Sequence, residues 1–130
     1  MPLGADYIPT ALDSIVADWP ATGATYNLFA SDPSLETTPT DVELTSDGGY
    51  AGATFAPSDW ADASGNSKST TSAVSFGTST DAYSDVATYW GILDTDGALV
   101  FSDDLDDPVE VDAASTAVSF TPTLTFSDAD

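Results

Sequence analysis

The stretch from Val86 to Phe101, reading Val-Ala-Thr-Tyr-Trp-Gly-Ile-Leu-Asp-Thr-Asp-Gly-Ala-Leu-Val-Phe, does most to limit what this chain can become. Val86, Thr88, Trp90 and Ile92 fall on one face of an extended segment, and Ala87, Tyr89, Gly91 and Leu93 on the other. Both faces are apolar or aromatic, which is the pattern of a central strand covered on two sides. Asp94-Thr95-Asp96-Gly97 then supplies turn chemistry, since Asp tolerates left-handed backbone and Gly adopts positive φ without a clash. Ala98 to Phe101 returns as a second strand. Gly91 leaves space beside Trp90 for another backbone, or for the indole to lie flat on the sheet. Trp90, Gly91, Ile92, Leu99 and Phe101 are therefore the expected structural core.

A second constraint is charge. The 130 residues carry 22 acidic side chains against one basic one, Lys68, for a formal net charge of -21, with no His and no Cys. Apolar residues still make up 42% and are spread throughout, so the chain is expected to fold as one domain rather than remain disordered. No cluster of Lys or Arg exists to displace counterions, which excludes nucleic acid as a partner, and anionic membrane surfaces are repelled. Self-repulsion opposes compaction in dilute buffer, whereas molar salt shortens the Debye length to about 3 Å. The composition reads as adaptation to a salt-rich interior or brine; the alternative is a mesophilic acidic protein stabilised by bound cations.

Tyr7 to Trp19 is the expected helix, with Ile8, Leu12, Ile15, Val16 and Trp19 at helical spacing. Asp6 is the expected cap, Pro9 fits the first turn and Pro20 stops it. A helix this short needs a surface to dock on, either the chain's own sheet, which we favour because the link to the first strand is short, or a neighbouring subunit. From Thr25 onward the pattern is β. Expected strands are Thr25 to Ala30, Val42 to Leu44, Tyr50 to Phe55, Thr71 to Phe76, Val86 to Leu93, Ala98 to Phe101, Val109 to Val111, Ala117 to Phe120 and Leu124 to Phe126. About eight short strands with closely spaced turn signals indicate an antiparallel β-sandwich or barrel, jelly-roll-like, with one short N-terminal helix. The expected division is 1–24 as a helical segment packed on the sheet, 25–126 as the β domain and 127–130 as an acidic tail. The N-terminus has no signal-peptide pattern, and no segment approaches the roughly 18 apolar residues of a membrane span. Work outside a cell would then follow release by lysis or assembly.

Little in the sequence offers catalysis. Without His or Cys the usual nucleophilic triads and thiolate or imidazole metal sites are impossible, and Lys68 sits in a Gly/Ser-rich loop, Ala61 to Ser69, expected to be mobile. Paired carboxylates remain, but acids are so abundant that their presence carries no signal. No catalytic residue and no cofactor are expected. Asp94-x-Asp96-Gly97 resembles the opening of a calcium loop yet continues with Ala98 and Leu99, so a hairpin turn is the better reading. Asp103, Asp104, Asp106 and Asp107 read as an acidic loop before Pro108, or as a loose cation site; the metal assignment stays open. Trp60, flanked by Asp59 and Asp62 in a loop-like stretch, is the expected exposed aromatic, and these three residues are the expected partner contact.

Tyr26-Asn27-Leu28-Phe29-Ala30-Ser31-Asp32-Pro33, Gly48-Gly49-Tyr50-Ala51, Ser72-Ala73-Val74-Ser75-Phe76 and Trp90-Gly91-Ile92-Leu93-Asp94 through Gly97-Ala98-Leu99 occur in that order. With these motifs the chain resembles, over roughly Leu12 to Phe126, a family of small tailed-phage virion proteins described as tail fibre or head-associated proteins, whose members open with a short helix. It departs at Gly52, where many relatives carry Arg, and at Ser72, where Asn is common. Taken with the charge, the resemblance implies a tailed virus of a halophilic archaeon. It implies a non-enzymatic virion structural protein: a repeated capsid decoration or turret, or a tail fibre or baseplate piece. Expected partners are copies of itself and other capsid or tail proteins, with the host surface as a further contact. The alternative is a binding module that recognises host-surface glycan or S-layer protein through Trp60 and its neighbouring loops.

Overall fold

A computed structural model describes residues 7–125. The elements are helix α1 (Ile8–Ala17) and strands β1 (Thr25–Phe29), β2 (Ala53–Thr54), β3 (Ser67–Ser69), β4 (Val74–Thr78), β5 (Ala87–Leu93), β6 (Leu99–Val109), β7 (Ala117–Phe120) and β8 (Thr123–Thr125). The chain is mainly β and every strand pairing is antiparallel. One sheet has the order β2-β1-β5-β6, while β3 pairs with β8 and β4 with β7. The arrangement is sandwich-like, with no closed barrel among the described residues. Asp6, Phe126 and the tail lie outside those residues.

β5 sits inside the larger sheet, as its two apolar faces require. Trp90 pairs with Leu28 of β1 and Asp103 of β6, and its indole faces Phe120 of the opposite layer at 5.6 Å between ring centroids. Trp90 and Ile92 are buried, whereas Leu99 and Phe101 on the outer strand are only half-buried. The space at Gly91 is taken by a neighbouring backbone and a phenyl ring, not by an indole. A Cβ there would stand 3.0 Å from the Phe101 carbonyl oxygen of β6, 3.0 Å from Cε2 of Phe29 and 3.3 Å from Cδ1 of Leu99.

The turn after β5 forms as its sequence demands. Oδ1 of Asp94 accepts from the backbone N–H groups of Asp96 and Ala98, both at 2.9 Å, and Gly97 takes φ of 82°. This three-residue loop closes with a left-handed glycine. The return strand does not stop at Phe101. It runs on to Val109 through the aspartates expected in a loop, and its register slips: Tyr89 faces Asp104 and Ala87 faces Val109, which leaves Leu105 to Pro108 opposite Thr88 alone. Asp is disfavoured in strands on average, but an outer strand leaves these carboxylates in water.

Other boundaries shift for local reasons. Val42 to Leu44 is no regular strand, yet Ala30 N–H donates to Val42 O and Leu44 N–H to Leu28 O, so this segment completes the edge of β1 beyond short β2. Of the expected strand from Tyr50 to Phe55 only Ala53–Thr54 pairs. Of Val109 to Val111 only Val109 is extended in the sheet. At Gly52 a Cβ would come 2.7 Å from Nδ2 of Asn27, so an Arg at that position needs Asn27 to move.

Helix α1 docks on its own chain. Ile8, Leu12 and Val16 join the buried cluster that also holds Phe55, Trp60 and Trp90, while Ile15 is exposed. Trp19 follows the helix, stacks on Phe101 at 5.4 Å and meets Phe55 and Trp60 at 5.9 Å each. A polar clamp fixes the helix further. Lys68 Nζ donates to Asp13 Oδ1 at 2.6 Å and to the carbonyl of Ala61 at 2.7 Å, and Ala63 N–H donates to the same Asp13 oxygen at 2.9 Å. Lys68 is thus 7% exposed on strand β3 rather than afloat in a mobile loop. The Ala61 to Ser69 segment is ordered by that strand and by the pairing of Ser64 with Ser67.

Candidate functional site

Two grooves lie where the sheets stay open at their edges. The first, about 320 Å³, runs between the outer strand β2, the start of β4 and the turn that carries Asp59. Pro57–Asp59 is a single 3-10 turn, held because Ala56 N–H donates to Asp59 Oδ2 at 2.9 Å. Tyr26 reaches the same oxygen from β1 with its hydroxyl at 3.2 Å. The Asp59 carbonyl accepts from Thr71 N–H at 3.0 Å, tying the turn to the segment that leads into β4. Both donors fall on one carboxylate oxygen. Oδ1 of Asp59 takes no hydrogen bond within the described residues.

Trp60 departs from expectation. It is 6% exposed, not a surface aromatic, because its pairing with Thr70 turns the indole inward against Trp19 and Trp90. Its Nε1–H donates to the Tyr26 hydroxyl at 3.1 Å, so the buried ring keeps its polar atom satisfied. Trp60 therefore acts on Asp59 through Tyr26. Asp59 is half-buried in the groove, and Asp62 is exposed beyond it with no side-chain bond to either neighbour within the described residues. Burial, and then the Asp59 carboxylate beside it, push the Tyr26 hydroxyl well above its ordinary pKa, which keeps the phenol a donor at all working pH values. Sequence reasoning found Asp59 and missed Tyr26, which lies 33 positions away, and Thr54 and Ser72, which join the groove only through the pairing of β2 with β1 and the tie of Thr71 to the Asp59 carbonyl. The Pro57-Ser58-Asp59 turn was the one local signal, since Pro starts such turns and Asp at the third position caps them.

The second groove, about 470 Å³, separates β6 from β7 and β8. Trp90, Phe120 and Pro122 form part of its wall, and Asp103, Asp104, Asp106 and Asp107 line the β6 side. Burial and the neighbouring carboxylates of Asp104 and Asp106 raise the pKa of Asp103. Among the described residues no group of three or more His, Cys, Asp or Glu side chains is gathered as metal ligands.

A third polar cluster stands behind β1. Tyr50 O–H and Asn27 Nδ2 both donate to Glu43 Oε2, at 2.9 and 2.6 Å, while the Tyr50 oxygen accepts from Leu28 N–H at 2.9 Å. Burial pushes the Tyr50 pKa up. This cluster seals the part of β1 that β2 is too short to reach, and its role is structural. No helix among the described residues is long and apolar enough to cross a membrane.

No known family model matches the chain, and no curated protein matches it.

Proposed function

We propose that this protein is a non-enzymatic structural component of a tailed virus of a halophilic archaeon, present in repeated copies on the particle as a capsid decoration or turret, or as a tail fibre or baseplate piece. The observation that carries the reading is how the motifs behind the family resemblance meet in space. Leu28 pairs with Trp90, Tyr50 holds the Leu28 N–H, Tyr50 stacks on Phe76 at 6.0 Å, and Phe76 stacks on Phe120, which touches Trp90. Four short stretches scattered along the chain, closed by Phe120 of β7, thus form one framework. Shared motifs that build the framework argue for a shared fold and, with it, a shared role.

Symmetric self-association suits a small β domain that repeats one interface many times. Ile8, Leu12 and Val16 of the helix are already covered, so assembly runs through strand edges and loops, including Ser31 to Thr40 and Ala61 to Ser69, with dense Asp kept to the outer rim. Mass spectrometry of purified particles tests the reading. The chain is expected at a copy number that is a multiple of a capsid or tail symmetry; its absence from particles overturns the proposal.

A second reading, recognition of a host-surface glycan, is favoured by one observation: the groove at Asp59, where a fixed carboxylate keeps one oxygen unused. A projecting virion part and a glycan-binding part are compatible.

A further inference from the structure

We infer that the groove between β2 and β4 binds a neutral saccharide, with Asp59 as its principal hydrogen-bond acceptor. This deepens the glycan reading of the same site and rests on it.

Sugar recognition calls for oriented acceptors and donors at short intervals rather than a deep apolar box, because a saccharide presents hydroxyls on every side and loses water from all of them. Asp59 meets the first demand. Oδ2 is held by the Tyr26 O–H at 3.2 Å and the Ala56 N–H at 2.9 Å, which fixes the plane of the carboxylate. The other oxygen is left to accept from a ligand. Hydrogen bonds to a charged acceptor are the strong ones, and a pre-oriented one loses little freedom on binding.

Thr54 and Ser72 line the same groove, are exposed and donate no side-chain hydrogen bond within the described residues. Each hydroxyl can donate and accept as a sugar requires. Thr71 lines the same groove and is tied by its own N–H to the Asp59 carbonyl. A volume of about 320 Å³ suits one sugar ring, at the small end of ligand sites.

Charge selects the class of sugar. The chain carries -21 and its one cationic side chain, Lys68, is bound to Asp13 on the helix. Nothing in the groove answers a uronate, a sulfate or a sialic acid carboxylate, and the field repels them. A single carboxylate with hydroxyl neighbours is also too poor a donor set for a hard cation. Neutral saccharides remain.

The test is saturation-transfer NMR in molar KCl with methyl glucoside, methyl mannoside, methyl galactoside, N-acetylglucosamine and glucuronate, followed by calorimetric titration of the best binder. At least one neutral sugar is expected to bind and glucuronate is not. Asp59→Ala is expected to weaken binding by about tenfold or more, as loss of a hydrogen bond to a charged group does. Asp107→Asn, in the other groove, leaves it unchanged. Tyr26→Phe, which leaves Asp59 Oδ2 held by the Ala56 N–H alone, weakens binding less than Asp59→Ala. Should Asp59→Ala fail to fold by circular dichroism, Thr54→Trp blocks the groove from its exposed rim and must abolish binding. The inference is overturned if no neutral sugar binds, if glucuronate binds as well as they do, or if the folded groove variants bind like the parent. A protein that binds glucuronate but no neutral sugar refutes this inference and leaves the glycan reading standing, one that binds no saccharide refutes both, and one that binds sugar but is absent from particles refutes only the virion reading.

Discussion

Trp60 reaches Tyr26 by one hydrogen bond, indole Nε1–H to phenol oxygen at 3.1 Å, across 34 positions of sequence. The bond ties the loop after the Pro57 turn to the first strand, and the Tyr26 proton is directed to Asp59. Tyr26→Phe keeps the ring but strands the buried indole N–H. The expected cost is about 1–3 kcal/mol, measured by denaturant unfolding in molar KCl. Trp60→Phe removes donor and need together, and is expected to cost less per polar atom lost.

Alkaline pH probes the same pair. Because folding raises the pKa of Tyr26 above the ordinary 10.0, its contribution to stability is complete below pH 10 and is lost as pH rises through the folded value. Tyr50 shifts in the same direction for the same first cause, burial. Ultraviolet difference titration of the folded protein is expected to show these two phenols ionising above pH 10, and both are expected to titrate normally once the protein is unfolded in denaturant. Identical titration of Tyr26 and Tyr50 in the folded and unfolded protein would contradict their burial.

Trp90 tests the centre of the fold. Its side chain is 2% exposed and meets Trp60, Phe101 and Phe120. Trp90→Ala is expected to destabilise by about 3–5 kcal/mol, the range for truncating a buried aromatic. A neutral substitution would mean that the two layers do not meet there.

How far the sequence revealed this fold follows from where burial decides conformation. Along β5 both neighbours and both faces are protein, so the apolar pattern alone located the strand, and Asp94 and Gly97 located its turn. Along β6 the outer edge faces water, and a strand that need not be apolar leaves no pattern; its aspartates looked like a loop. Trp60 misled for the opposite reason. Its sequence neighbours are polar, but its partners Trp19, Tyr26 and Trp90 come from other elements, and no local spacing announces them.

Lys68 gives a pH-dependent and mutational test of the helix clamp. The Lys68 ammonium, and then the Ala63 N–H, lower the Asp13 pKa below its ordinary 3.8. A depressed carboxylate pKa contributes stability that is present above pH 3.8 and lost as pH falls through the folded value. Asp103, whose pKa is raised, acts in the opposite sense and favours the folded state as acid is added. Lys68→Met is expected to cost about 1–3 kcal/mol, less than a fully buried pair because the Asp13 side chain is 43% exposed to water. Hydrogen exchange should then accelerate first in α1, and uniform acceleration would refute a local clamp.

Salt tests the charge. The melting temperature is expected to rise from dilute buffer to molar KCl as screening relieves self-repulsion from -21 charges. A constant melting temperature would refute halophilic adaptation. Millimolar Ca²⁺ at fixed molar KCl is expected to add nothing further, whereas a saturable increase that Asp104→Asn and Asp106→Asn abolish would revive a cation site at Asp103 to Asp107.

The slipped register of β6 has a consequence for solubility. An outermost strand offers free backbone groups to any passing chain, which is how sheets grow into fibrils. Here the strand is blunted twice. Charge repels a second copy, and Asp103 Oδ1 occupies the Asp104 N–H at 2.9 Å. Shape does the rest, since Pro108 has no N–H to offer and the four residues from Leu105 bow away from a straight ladder. Acid or brine removes the first defence and leaves the second, so an edge stripped of its electrostatic repulsion is still guarded by its shape against pairing with another chain.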